Sequence, residues 1–142
     1  LKTAQEFGAD YVLNVQKDSA LEFIRSKTGG YGADVVIECA GAEPSVNACL
    51  DYVRKMGKYT QMALFGKPIT VDFEKIVTKE IKTIGVQSQK WTSWDRALKL
   101  LESGKVNLEP LATHEFGFSE WETAFDVFEK KTGLKVIMHP EE

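Results

Sequence analysis

Cysteine and histidine are scarce, two of each in 142 residues, with no Cys-x-x-Cys pair and no histidine beside either thiol. That excludes a disulfide framework and the close-spaced ligand pairs of small zinc modules. Cys39 and Cys49 stand in apolar stretches and are expected to be buried thiols of a reducing compartment. No apolar run approaches the roughly 20 residues a spanning helix needs, and no charged segment leads an apolar one at the start. A cytoplasmic protein with no membrane partner is expected. Positive charge is not in excess either: 18 basic against 21 acidic side chains give a net charge of -3. The basic residues are scattered, which argues against a nucleic-acid partner, because such affinity comes from clustered Lys and Arg. Repeats and low-complexity linkers are also lacking.

What is present reads as alternating strands and helices. The opening helix ends at Gly8, and a chain that starts on Leu1 in the middle of such a pattern is expected to have lost something upstream. Residues 11–15 are a short β-rich run, read as a buried strand. Ser19 and Glu22 match a capping box that starts a helix. Residues 34–38 form the strongest strand, a run typical of parallel sheets covered on both faces. A helix from about Pro44 carries Val46, Cys49, Leu50 and Val53 at helical spacing and is expected to stop at Gly57. A strand over 58–64, a turn over 65–68 and a helix over 72–79 follow. A further strand runs over 81–87, and Ser93 opens a helix with Trp94, Ala97, Leu98 and Leu101 on one face. This alternation implies βαβ crossovers and a doubly wound, mainly parallel α/β sheet. Beyond Val106 the pattern breaks into extended pieces, a helix from Ser119 and a last strand over 134–138. Trp121, Phe125 and Phe128 on that helix are expected to be core.

The run Glu38, Cys39, Ala40, Gly41, Ala42, Glu43, the strand and turn from Gly57 to Gly66, the stretch from Leu101 to His114 and the Ala124–Phe125 helix together resemble zinc-dependent medium-chain dehydrogenases of the sorbitol and threonine dehydrogenase type. The resemblance covers essentially the whole chain, in the order of the second half of a subunit. It implies a partial Rossmann fold: strands three to six of a dinucleotide-binding domain over residues 1–106, then a return segment of the catalytic domain over 107–142. Residues 11–15 would be the third strand. The family's first two strands would lie between the third and fourth, leaving a gap of roughly 14 Å to be closed by re-pairing or by another segment. The Gly-x-Gly-x-x-Gly fingerprint is absent, and Gly29 to Gly32 is no substitute because it precedes a strand.

The resemblance further implies that the parent enzyme moves hydride from a secondary alcohol or polyol to NAD or NADP, with zinc held only by upstream residues. No catalytic and no metal-ligating residue is therefore assigned here, and the chain is expected to be inactive alone. Three strips at strand ends are the candidate cofactor contacts: Cys39, Ala40 and Gly41; Ala63, Leu64 and Phe65; Val86, Gln87 and Ser88. Relatives acting on polyols often carry a basic residue at the place of Ser88, so the substrate stays open. Glu38 lacks an oriented partner for acid/base work and is expected to cap the turn after its strand. The strand that Ile81 opens and Gln87 closes would be a sheet edge paired with its twin in a homodimer. The alternative is a noncatalytic nucleotide-sensing or dimerisation module.

Overall fold

The computed structural model describes residues 1–140, which fall into two compact units, one over Leu1–Ser88 and one from Gln89 onward. The first holds helices α1 (Lys2–Glu6), α2 (Ala20–Lys27), α3 (Glu43–Tyr52) and α4 (Glu74–Thr78) around strands β1 (Ala33–Glu38), β2 (Val53–Gln61) and β3 (Lys82–Gly85). The strands pair in parallel in the order β1-β2-β3. Among the described residues no helix is long and apolar enough to cross a membrane.

Ser19 starts α2 as its sequence signature requires, its hydroxyl accepting the Glu22 N–H. Alternation along β1 sends Val36 to the core and leaves Val35 and Ile37 more than half exposed. The core is Val46, Cys49, Leu50, Val53, Tyr59 and Ile81, with α3 laid over one face of the sheet. The expectation of cover on both faces fails: apolar strand residues meet a helix only where the chain supplies one.

Residues 11–15 are not a strand. A strand persists only if its N–H and C=O groups find a ladder, and β1 pairs with β2 alone. The segment is held by side chains instead, the Tyr11 ring lying edge-on 5.1 Å from Phe23 with the Lys27 ammonium 4.7 Å above it. The sheet thus has three strands where four were expected, and the gap is not closed by re-pairing.

Gly57 does not end α3, which stops at Tyr52. The cap comes from Lys79, whose ammonium donates to the carbonyls of Leu50, Asp51 and Val53 at 2.7, 3.1 and 2.6 Å. Gly57 lies inside β2, where a Cβ would stand 2.6 Å from the Val53 side chain. Of the two thiols, Cys49 is buried, but Cys39 is exposed at the end of β1, because the last strand residue to face inward is Glu38.

The second unit contains α5 (Trp91–Glu102), α6 (Trp121–Glu129) and the parallel pair β4 (Ala112–Gly117) and β5 (Lys135–His139). Helix α5 begins two residues before Ser93. A 3-10 turn, Phe118–Glu120, precedes α6, and the Glu120 carboxylate accepts the Gly117 N–H at 3.0 Å. Trp121, Phe125 and Phe128 are not core: they are 53%, 55% and 70% exposed. One helix over two strands closes only around Ala124, leaving an open depression of about 260 Å³ lined by Phe125, Phe128, Val136 and Met138.

Candidate functional site

Parallel pairing puts the carboxyl ends of β1, β2 and β3 side by side, and the three candidate strips leave from those ends. All lie in the first unit. The first two strips touch. The Glu38 carbonyl accepts the N–H groups of Met62 at 3.0 Å and Ala63 at 3.3 Å, and Cys39 Sγ lies 4.0 Å from Met62 Sδ. Gly41 sits at φ 65°, and a Cβ there would come within 2.5 Å of the Leu64 carbonyl oxygen. Only glycine permits both that backbone and that approach. The third strip joins through Val86, whose N–H donates to the Gln61 carbonyl at 3.0 Å. Gln87 and Ser88 run on along the surface, Ser88 in the left-handed region at φ 56°. Phe65 turns its half-buried ring to the core, whereas the Leu64 side chain is 77% exposed.

Beneath these strips lies a buried carboxylate. Glu38 is 1% exposed, a position tolerable for an anion only if donors surround it. Its Oε1 accepts the Ala40 N–H at 2.9 Å and the Gly41 N–H at 3.1 Å, and Oε2 accepts Gly41 at 3.2 Å and Gln61 Nε2 at 2.7 Å. Burial alone would raise its pKa, but the Ser45 hydroxyl, the Gln61 amide and the Gly41 and Ala40 N–H groups outweigh burial and hold it below the ordinary value. Gln61 Nε2 also donates to the Ala63 carbonyl at 2.8 Å, and Gln61 Oε1 accepts the Tyr59 hydroxyl. Glu38 thus caps the turn after its strand. Tyr59, Gln61 and Ser45 were not singled out from the sequence. The signal was there in part: Tyr59 and Gln61 share a face of β2, and a glutamine beside a core tyrosine needs a partner.

Small side chains at Cys39, Ala40 and Gly41, the first two exposed and the third half-buried, leave room for a flat ring over the strand ends. Zinc is different. Among the described residues no three Cys, His, Asp or Glu side chains gather where they could hold a metal, so this set of residues does not fit a catalytic zinc.

Residues 1–103 match the family model described as zinc-binding dehydrogenase. The sorbitol dehydrogenase of Halalkalibacterium halodurans is 44% identical over 141 residues, which cover 99% of this chain and 41% of that protein. The D-arabitol-phosphate dehydrogenase of Enterococcus avium is 36% identical, with 100% and 41% covered. Among solved structures, zinc dependent alcohol dehydrogenase 2 from Streptococcus pneumonia superposes at a TM-score of 0.89 with 31% identity, over 99% of this chain and 41% of that one. An alcohol dehydrogenase from Thermus sp. ATN1, at TM-score 0.90 and 23% identity, shares the fold. The chain spans about two-fifths of the length of the curated relatives it matches, corresponding to their C-terminal part, and its mixed α/β architecture is that of their Rossmann-like domain. On these matches the chain belongs to the zinc-binding dehydrogenase family.

Proposed function

We propose that this chain forms part of the dinucleotide-binding side of an NAD- or NADP-dependent alcohol or polyol dehydrogenase. The observation that carries the reading is the convergence of three parallel strand ends, with Gly41 packed against Leu64 and Val86 tied to Gln61. Open α/β sheets take their ligands outside the carboxyl ends of the strands. The dinucleotide, when bound, supplies the hydride acceptor. This chain's share is to shape and orient: Cys39, Ala40 and Gly41 let a planar group approach the backbone, Ala63, Leu64 and Phe65 offer main-chain groups, and Val86, Gln87 and Ser88 border the third side. The names of the relatives, sorbitol and D-arabitol-phosphate dehydrogenase, point to a small polyol as substrate.

In this reading residues 1–106 serve the cofactor lobe and residues 107–142 return to the catalytic one. Alone the chain neither binds dinucleotide tightly nor turns over substrate. Strand β3, exposed along all four residues and paired on one side by β2, meets its twin in a homodimer; sedimentation of the full gene product as a monomer would exclude that pairing. The direct test is a titration of NADH and NADPH into the full gene product and its Ala40→Glu variant. Ala40 is exposed, so bulk and charge there should lower affinity by about tenfold or more while leaving the melting temperature unchanged. Equal binding by both proteins overturns the reading. The rival reading is a noncatalytic nucleotide-sensing or dimerisation module. Tight NADH binding by the gene product without turnover of any alcohol would select it.

A further inference from the structure

The buried pair Glu38 and Gln61 does more than neutralise one charge. Register places the two opposite each other on β1 and β2, on the face that α3 covers, and directly below the first two strips. Every polar atom of the Gln61 amide has an assigned direction. Its nitrogen faces two acceptors, the Glu38 carboxylate at 2.7 Å and the Ala63 carbonyl at 2.8 Å, and its oxygen faces the Tyr59 hydroxyl. Turning the amide over would set its oxygen against a carboxylate and a carbonyl, so the orientation is fixed by its partners. Glu38 is fixed in the same way. One oxygen holds the Ala40 and Gly41 N–H groups, and the other is shared between Gly41 and Gln61. No buried polar side-chain atom among the described residues lacks a partner.

Following the bonds in order, the Gly41 amide is held by Glu38, Glu38 by Gln61, and Gln61 by the Ala63 carbonyl. Ala63 and Leu64 are the residues against which Gly41 packs. The chain of bonds therefore closes on itself, connecting two strips through the protein interior where the sheet ladder has already ended. We infer that Glu38 and Gln61 are positioning residues for the dinucleotide: the carboxylate and amide bridge sets the spacing and orientation of the Cys39–Gly41 and Ala63–Phe65 strips. The inference rests on the proposed function and adds residues that touch no ligand themselves. It differs from simple packing, because the bridge joins two segments that the proposed function places against the ligand.

The test uses the full gene product and its Gln61→Leu variant, which keeps the side-chain bulk and the Glu38 charge but cuts both links of the bridge. The readouts are the NADH dissociation constant by nicotinamide fluorescence, the melting temperature without dinucleotide, and KM for the alcohol. The dissociation constant should rise by about three- to tenfold, the range expected for one or two lost hydrogen bonds, with alcohol KM unchanged and the melting temperature lowered by only a few degrees, roughly as for a mild destabilisation. A Glu38→Gln variant should show the larger rise, since an NH2 group would then face N–H donors. If Gln61→Leu does not fold, Tyr59→Phe carries the same test, with a rise of about twofold from the freed amide. A wild-type protein that binds no NADH overturns the functional reading and this inference together. A wild type that binds, beside variants whose affinity is unchanged or falls only in step with alcohol KM and melting temperature, overturns this inference alone.

Discussion

The two compact units carry apolar side chains in similar supply and bury them very differently. In Leu1–Ser88 the residues Ala20, Val46, Cys49, Leu50, Val53, Tyr59 and Ile81 are all sealed from water; in the second unit, among the described residues, Ala124 alone is. All three tryptophans lie in that second unit, and each is more than half exposed. Both α3 and α5 show an apolar stripe of the right spacing, but α3 has a sheet beneath it and α5 leaves Trp94, Leu98 and Leu101 to solvent. An amphipathic pattern states that a face requires a partner. It does not state that the partner belongs to the same chain.

The largest effect that could break this comparison is the loss of a core side chain. Leu50→Ala should destabilise the 142-residue chain by about 2 to 5 kcal/mol, as expected for a leucine with no exposed surface. Leu98→Ala, on a residue 52% exposed, should cost less than about 0.5 kcal/mol. Urea unfolding of the two variants checks the contrast. A Leu98→Ala cost equal to that of Leu50→Ala would mean that the stripe of α5 is covered in solution, and the difference between the units would disappear.

How much was legible in the sequence follows the same division between local and distant causes. The capping signature at Ser19, the strand at β1 and the helical stripe of α3 were readable because neighbours in sequence produce them. The strand at 11–15 was misread, since β-propensity describes a residue that fits a pleated surface and the surface has to exist. The end of α3 was misplaced at Gly57 because its cap is a lysine 26 to 29 residues away. The three candidate strips were placed at strand ends from the alternation of elements and from resemblance, and they do follow those ends. The network beneath them was not found, because Glu38, Gln61 and Tyr59 become partners only when two strands fall into register.

That network also makes pH a way to sharpen the comparison, with an effect smaller than the loss of a core leucine. Hydrogen bonds hold Glu38 below its ordinary 4.5 despite burial. The unfolded chain then takes up the proton first on acidification, so the stabilisation from this carboxylate is complete above 4.5 and is lost as pH falls through the lowered folded value. Tyr59 behaves in the opposite sense. Burial, then the neighbouring Cys49 and Glu38, push its hydroxyl up to about 12 from 10.0, so its neutral form stabilises the fold fully below 10.0 and that contribution is lost between there and about 12. Urea midpoints measured across pH should therefore fall at both ends, and Tyr59→Phe should flatten the alkaline limb while leaving the acid limb in place. Because the Tyr59 hydroxyl donates to Gln61, its ionisation would also reverse the demand on the amide, turning a donor into an acceptor opposite an oxygen. The alkaline loss should then coincide with weaker order in the Cys39–Gly41 turn, read as faster amide exchange at Gly41. An alkaline limb that Tyr59→Phe leaves unchanged would mean that the burial of this hydroxyl contributes nothing to the first unit's advantage.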